Sequence, residues 1–340
     1  MANVTPTASD PILVPSSAAG VVRVARRPLI PGSLRVFLSS PLTAVGVIIF
    51  GIIMAAALCA PLLASYAPLD MVGPLGAGPS RSHFFGTNDQ GQDIFSQILY
   101  GARYSLAVGL GAGVAITVIS TCVGMIAAYA GRWLDDLLST IMNVFLVVPQ
   151  LPLLLVIAAY IPFKGNDPTG AALTMIAVIT VTGWAWGARV MRAQTLTLRN
   201  RDFVQATVVA SEYWWRIVFR EIMPNMISLL ANTLILSSMG AILTEAALDY
   251  LGIGSISQVT WGTMLNKAQA NSALFSGEWW SFVFPGLAIA LTAMSFILMN
   301  YGVDLVSNPQ LRVIKHRRRR RFFRTSLTDM APAMETEVRA

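Results

Sequence analysis

Charge is scarce in this sequence. Asp, Glu, Lys and Arg make up 12% of its 340 residues, where an ordinary soluble domain carries roughly 25%, so there is too little polar surface to cover a fold of this length in water. Histidine is almost missing too: His83 and His316 lie far apart, outside the apolar runs. No H-E-x-x-H metal motif and no G-x-S-x-G nucleophile elbow occurs, and the chain has no G-x-x-x-x-G-K-[ST] phosphate loop. No catalytic group, metal site or cofactor is therefore expected, and no ATP site of that kind can be built from this chain. The two cysteines, Cys59 and Cys122, each sit alone inside an apolar run, which excludes a disulfide framework and a thiolate metal site.

Apolar residues are abundant, at 55%. The net charge of +7 does not mark a nucleic-acid binder, because the basic residues flank long apolar runs and lack aromatic interleaving. The partner they imply is a lipid bilayer. A helix rises about 1.5 Å per residue through a hydrocarbon core of about 30 Å, so roughly 20 apolar residues make a span. Six segments qualify: 42–63, 105–130, 137–161, 171–188, 226–248 and 281–303. The expected fold is an all-α polytopic membrane protein of about six transmembrane helices. The first run is longer than a signal-peptide core and is expected to stay as an anchor. Arg26 and Arg27, followed by Pro28, lack the context of a twin-arginine signal.

An even number of spans puts both termini on one side. With the termini cytoplasmic, that side holds 20 of the 24 lysines and arginines, and only Arg81, Arg103, Lys164 and Lys267 lie on the other. The positive-inside bias therefore predicts two cytoplasmic tails. The organisation read from these runs is an N-terminal tail over 1–40, a transmembrane domain over 41–311 and a basic tail over 312–340 containing the run Arg317 to Arg321. Both tails read as flexible, and the arginine run reads as a topology-fixing cluster or an anionic-lipid contact. Within the membrane domain lie external loops over 65–104 and 251–280 and a cytoplasmic loop over 189–225. Gly109, Gly111 and Gly113, with Gly183 and Gly187, predict close helix packing.

The cytoplasmic loop repeats Phe203, Ala206, Thr207, Ala210, Trp214 and Ile217 at helical spacing, flanked by Arg199, Arg201, Arg216 and Arg220. Such a stripe suits either a groove on a partner protein or the membrane surface. Glu245 and Asp249 are the acids within the fifth span, one turn apart near its outer end. Ionisable groups at that depth are expensive; they read either as a lining of the exit or as an interfacial packing feature. Asn143 and Gln150 in the third span are the best polar candidates for a pathway, with packing hydrogen bonds as the other reading. Trp261, Trp279 and Trp280 in the second external loop fit interfacial anchors.

The stretch DFVQATVVASEYWWRIVFREIMPN, Asp202 to Asn225, resembles the "EAA" loop of binding-protein-dependent ABC importer permeases, which reads Glu-Ala-Ala, three residues, Gly, and a Leu-Pro nineteen residues after the Glu. Pro224 has that spacing from Gln205, while Gln205, Thr207, Ser211 and Met223 stand where the pattern has Glu, Ala, Gly and Leu. HFFGTNDQGQDIFSQILYGARYSLAVGL (His83 to Leu110), GAILTEAALDYLGIG (Gly240 to Gly254) and WWSFVFPGLAIALTAMSF (Trp279 to Phe296) are similar to the dipeptide, oligopeptide and nickel subfamily. Asn88 and Gln92 replace residues often acidic and basic there. The resemblance covers roughly 83–311. It implies a type I ABC importer permease fold in a bacterial inner membrane, forming half of a pathway for peptides or a related solute. It further implies ATP-binding subunits, a second permease and an extracytoplasmic solute-binding protein as partners, and coupling contacts at Phe203, Gln205, Ala206, Thr207, Ser211, Trp214 and Pro224. A stand-alone secondary transporter or channel is the alternative; an importer would depend on ATP and not on an ion gradient.

Overall fold

In lipid, backbone groups have no water to bond, so a chain this apolar must satisfy them within helices. The computed structural model describes residue 37 and residues 40–160, 167–254 and 258–307, and no strand occurs among the described residues, only two isolated bridges, Met71 with Gln92 and Thr87 with Asp93. The N-terminal tail up to that point, Lys164 and the basic C-terminal tail lie outside the described residues. The main helices are α1 (Pro41–Leu58), α2 (Ile94–Ala130), α3 (Arg132–Val147), α4 (Gln150–Tyr160), α5 (Pro168–Arg199), α6 (Asp202–Val209), α7 (Ile227–Tyr250), α8 (Trp261–Ala270) and α9 (Trp280–Ser307).

Five of these, α1, α2, α5, α7 and α9, are long and apolar enough to cross a membrane, and α3 with α4 passes as a sixth span only as a bent pair. The single third span expected over 137–161 is thus corrected: the chain turns by 93° between the two helices. The cause is local. Val148 precedes Pro149 and is extended, at φ −72° and ψ 125°, because the proline ring excludes the residue before it from helical geometry. Helix α2 begins at Ile94 and not at Ser105, and its 37 residues span about 55 Å at 1.5 Å per residue, well beyond the hydrocarbon core. Asp93 caps it, accepting from the Ser96 backbone N–H at 2.8 Å.

Helix α2 is the centre of the bundle, packing against α5, α7 and α1, while α9 closes against α1 and α7. One core joins Val108, Ala112 and Ile116 of α2 to Met175 and Ile179 of α5 and Ala241 of α7. A second, nearer α8, joins Leu106, Ile242, Phe296 and the fully buried Trp261 of α8. Lipid tails are as apolar as these side chains, so close approach holds the helices together. Gly109 and Gly113 supply it: a methyl at either would overlap Ile242 or Ser238 of α7.

The loop before α2 is tied down by neutral hydrogen bonds. Asn88 Nδ2 donates to Gln92 Oε1 at 2.9 Å, Gln97 Nε2 donates to the same oxygen at 2.7 Å, and Gln92 Nε2 donates to the Leu69 carbonyl at 3.0 Å. The amides at 88 and 92 thus meet directly, with no ion pair between them.

Candidate functional site: the short loop helix and the polar groups of the spans

The loop between α5 and α7 folds as the short helix α6, a tight turn, and a helical stretch from Trp214 to Asn225 whose centre, Ile217–Ile222, is π-helical. Val204 fixes α6 to the bundle: it is fully buried among Met125 of α2, Met191 of α5, Met226 and Ile217. Gln205 Nε2 donates to the Arg199 carbonyl at 3.0 Å, and Arg199 Nη1 donates to the Ala128 carbonyl of α2 at 2.9 Å. Nearby, Arg192 grips both oxygens of Asp135 at 2.6 and 2.7 Å, linking α5 to α3. A packed valine and a chain of hydrogen bonds thus connect α6 to α2 and α5.

The expected apolar stripe divides. Ile217 is buried and Thr207 half-buried, with its hydroxyl donating to the Val204 carbonyl at 2.7 Å. Phe203, Ala206, Ala210 and Trp214 are exposed, as are Val208, Val209, Tyr213 and Trp215. An apolar surface of this extent, left uncovered by the chain, marks an interaction site. Pro224 is exposed and follows the π-helical turn, where its ring removes one backbone donor.

Ser211 ends α6 in the left-handed region, at φ 56°. Its N–H donates to the Val208 carbonyl at 3.0 Å and the Glu212 N–H to the Thr207 carbonyl at 3.3 Å, the two bonds of a Schellman cap, whose left-handed position is usually glycine. The position at which the resembling pattern carries Gly is the one that the backbone bends to the left.

Glu245 and Asp249 are both buried, facing α2 and the chain leading into α8. Ser105 Oγ donates to Glu245 Oε1 at 3.1 Å and Thr260 Oγ1 to Asp249 Oδ2 at 2.5 Å. Glu245 Oε2 has no partner among the described residues. Gly254 and Gly262 press against Asp249, so the acids lie inside the packed bundle and tie α8 to the spans. Asn143 and Gln150 are exposed on α3 and α4, and the structure does not bring them together with the acids. Sequence reading missed α8, whose signal was Thr260 followed by Thr263: each hydroxyl accepts from the other's backbone N–H, a capping box. Around α8, burial pushes the Lys267 ammonium down against the pull of Asp89, while burial and then Asp89 raise the Glu278 carboxyl.

The family described as binding-protein-dependent transport system inner membrane component matches residues 120–312, a stretch containing α6 and its exposed face. The chain belongs to that family. It is 35% identical to the dipeptide transport system permease protein of Alkalihalophilus pseudofirmus over 278 residues, covering 80% of this chain and 86% of that one. It is 32% identical to the oligopeptide transport system permease protein of Bacillus subtilis over 279 residues, covering 81% and 88%. A putative peptide permease protein of Brucella suis is 32% identical over 300 residues, covering 87% and 93%. This permease is thus a membrane-spanning transport subunit of an ABC importer, and the stand-alone transporter reading gives way to it.

Proposed function

We propose that this permease is one of two related permease subunits of an ATP-driven peptide importer in a bacterial inner membrane, with both termini cytoplasmic. The exposed apolar face of α6, anchored behind by Val204, carries the reading: it docks into a separate ATP-binding subunit, whose motion passes along Gln205 and Arg199 into α2 and α5. Phe203, Ala206, Ser211 and Trp214 make the contact, with Thr207 and Pro224 shaping the backbone behind it. The charge bias of the loops supports the orientation, and the printed names of the relatives support the peptide cargo. On the outer face a solute-binding protein docks on the segment after α8, where Phe275, Leu274 and Trp279 are exposed.

Affinity purification of the tagged chain in mild detergent, followed by mass spectrometry, is expected to recover an ATP-binding subunit and a second permease. Ala206→Arg, which places a charge in the exposed apolar face, is expected to abolish motor association and uptake at normal expression. Normal uptake by that variant would refute the docking role of α6.

A further inference from the structure

Glu245 and Asp249 sit one turn apart near the C-terminal end of α7, at 0% and 2% exposure. No lysine, arginine or histidine among the described residues pairs with either. On the elements packed against them, Tyr104 of α2 is the titratable group that faces both, Arg103 of α2 is exposed, and Lys267 of α8 acts on Asp89 instead. Like charges one turn apart repel even on a helix surface, and two carboxylates enclosed together without a counter-charge do not both stay ionised. The pair therefore needs one added positive charge. A proton is the one that takes no room, and room is short: a methyl on Gly254 or Gly262 would overlap Asp249.

The hydrogen bonds decide which acid holds it. Thr260 Oγ1 accepts from the Thr263 N–H at 3.0 Å, so its own hydrogen goes to Asp249 Oδ2. Asp249 also packs against Gly262 in the first turn of α8, where the unpaired N–H groups of a helix start favour a negative charge. Both observations make Asp249 the carboxylate. On Glu245, Oε1 accepts from Ser105 Oγ at 3.1 Å, while Oε2 is enclosed with no donor to satisfy it. An ionised oxygen so placed bears its whole desolvation cost. Protonated, it becomes a donor, and the Asp249 carboxylate lies within hydrogen-bond reach of it.

We propose that Glu245 is a buried proton-binding site, a carboxylic acid whose Oε2 hydrogen is donated to the Asp249 carboxylate, and that this proton clasps α8 to the spans. Ser105 of α2 donates to Glu245, and Glu245 and Thr260 both donate to Asp249, so the hydroxyl hydrogens of three segments converge on one negative charge. Removing the proton sets two buried anions against each other. Both acids are fixed on α7, so the contact that yields is the one across to the cap of α8, and the buried Trp261 beside that cap goes with it.

The test uses the full chain, made by cell-free synthesis in alkyl maltoside micelles, which have no carbonyl of their own. A Glu278→Gln background removes the other carboxyl that burial raises. Infrared spectra at neutral pH are expected to contain the carbonyl stretch of a protonated carboxylic acid. Heavy-carbon glutamate is expected to shift that band, heavy-carbon aspartate to leave it in place, and Glu245→Gln to abolish it. Absence of the band in the background chain would overturn the proposal, whether both acids are ionised or a metal cation lies between them. A band that moves with aspartate would put the proton on Asp249 and overturn the assignment; because this reading needs no variant at 245, it stands even if Glu245→Gln does not fold. Hydrogen exchange at Thr263 and Met264, whose N–H groups bond to Thr260, reads the clasp. Gln at 245 keeps both bonds and has no proton to lose, so as pH rises exchange in the chain with Glu245 is expected to become about tenfold or more faster than in the Gln variant at the same pH. Equal exchange in the two chains at every pH would refute the hold on α8.

Discussion

Replacing Ser211 by glycine is expected to tighten the end of α6. Ser211 holds φ 56°, where an L side chain crowds the following carbonyl at a cost of roughly 1–2 kcal/mol. Glycine removes that crowding but loses about 0.5–1 kcal/mol more chain entropy on folding. The net gain is about 0.5–1 kcal/mol, which slows local opening by about two- to fivefold at 1.4 kcal/mol per tenfold. No side-chain hydrogen bond of Ser211 opposes the change, since its bond in the cap is made by the backbone N–H. Hydrogen exchange on the purified permease reads the effect at Ala210, Ser211 and Glu212, whose N–H groups bond to Ala206, Val208 and Thr207. Ser211→Val is the opposing control: a β-branched residue at positive φ is a steric outlier, and its exchange should be faster than that of the native chain. Unchanged or faster exchange in the glycine variant, beside unchanged exchange in the valine variant, would refute the strained cap.

The other perturbations test separate links in the same chain. Gln205→Glu replaces a donor to the Arg199 carbonyl with a carboxylate at the negative end of α5, and is expected to cost about 1 kcal/mol, or about 2 °C in thermal denaturation; a native-like transition would show that the bond contributes nothing. Pro149→Ala permits helix through the break, so spin labels near the ends of α3 and α4 should move apart and uptake should fall; an unchanged distance would place the cause of the bend elsewhere. Lys267 binds its proton less tightly folded than unfolded, because burial outweighs Asp89. The resulting penalty is fully present below its folded pKa and is relieved as pH rises from there toward the unfolded value of about 10.5, so stability should climb over that window. Lys267→Met should flatten the slope, and an equal slope in both chains would remove Lys267 as its source.

The spans were legible because hydropathy averaged over about twenty residues is insensitive to detail, and the same averaging hid the break. Val148 and Pro149 sit in an apolar run that scores as one span, yet a single proline sets the geometry of the residue before it more firmly than any number of leucines around it. The long N-terminal extension of α2 was hidden for the opposite reason. Ile94 to Arg103 is polar enough to read as loop, and its helix depends on the Asp93 cap and on Gln97 being held by the Pro68 carbonyl at 2.9 Å and the Gln92 amide, contacts that no local pattern encodes.

The site divides in the same way. Sequence spacing found the face of α6 that stays exposed but could not separate it from Ile217, because periodicity shows that two residues share a side and not which of them the bundle covers. Glu245 and Asp249 drew attention by their cost in a membrane; Ser105 meets one oxygen of Glu245, whose Oε2 has no partner among the described residues, while Thr260 and the room that Gly254 and Gly262 leave accommodate Asp249. Gln150 carried no charge and so a weaker signal, and it is exposed at the start of α4, directly after the break. In a permease of this kind a buried acid can be an internal fastening between helices, while a modest exposed amide is one that the packed bundle leaves open. The two are told apart by whether a partner lies within hydrogen-bond reach, which becomes visible only once the helices are packed.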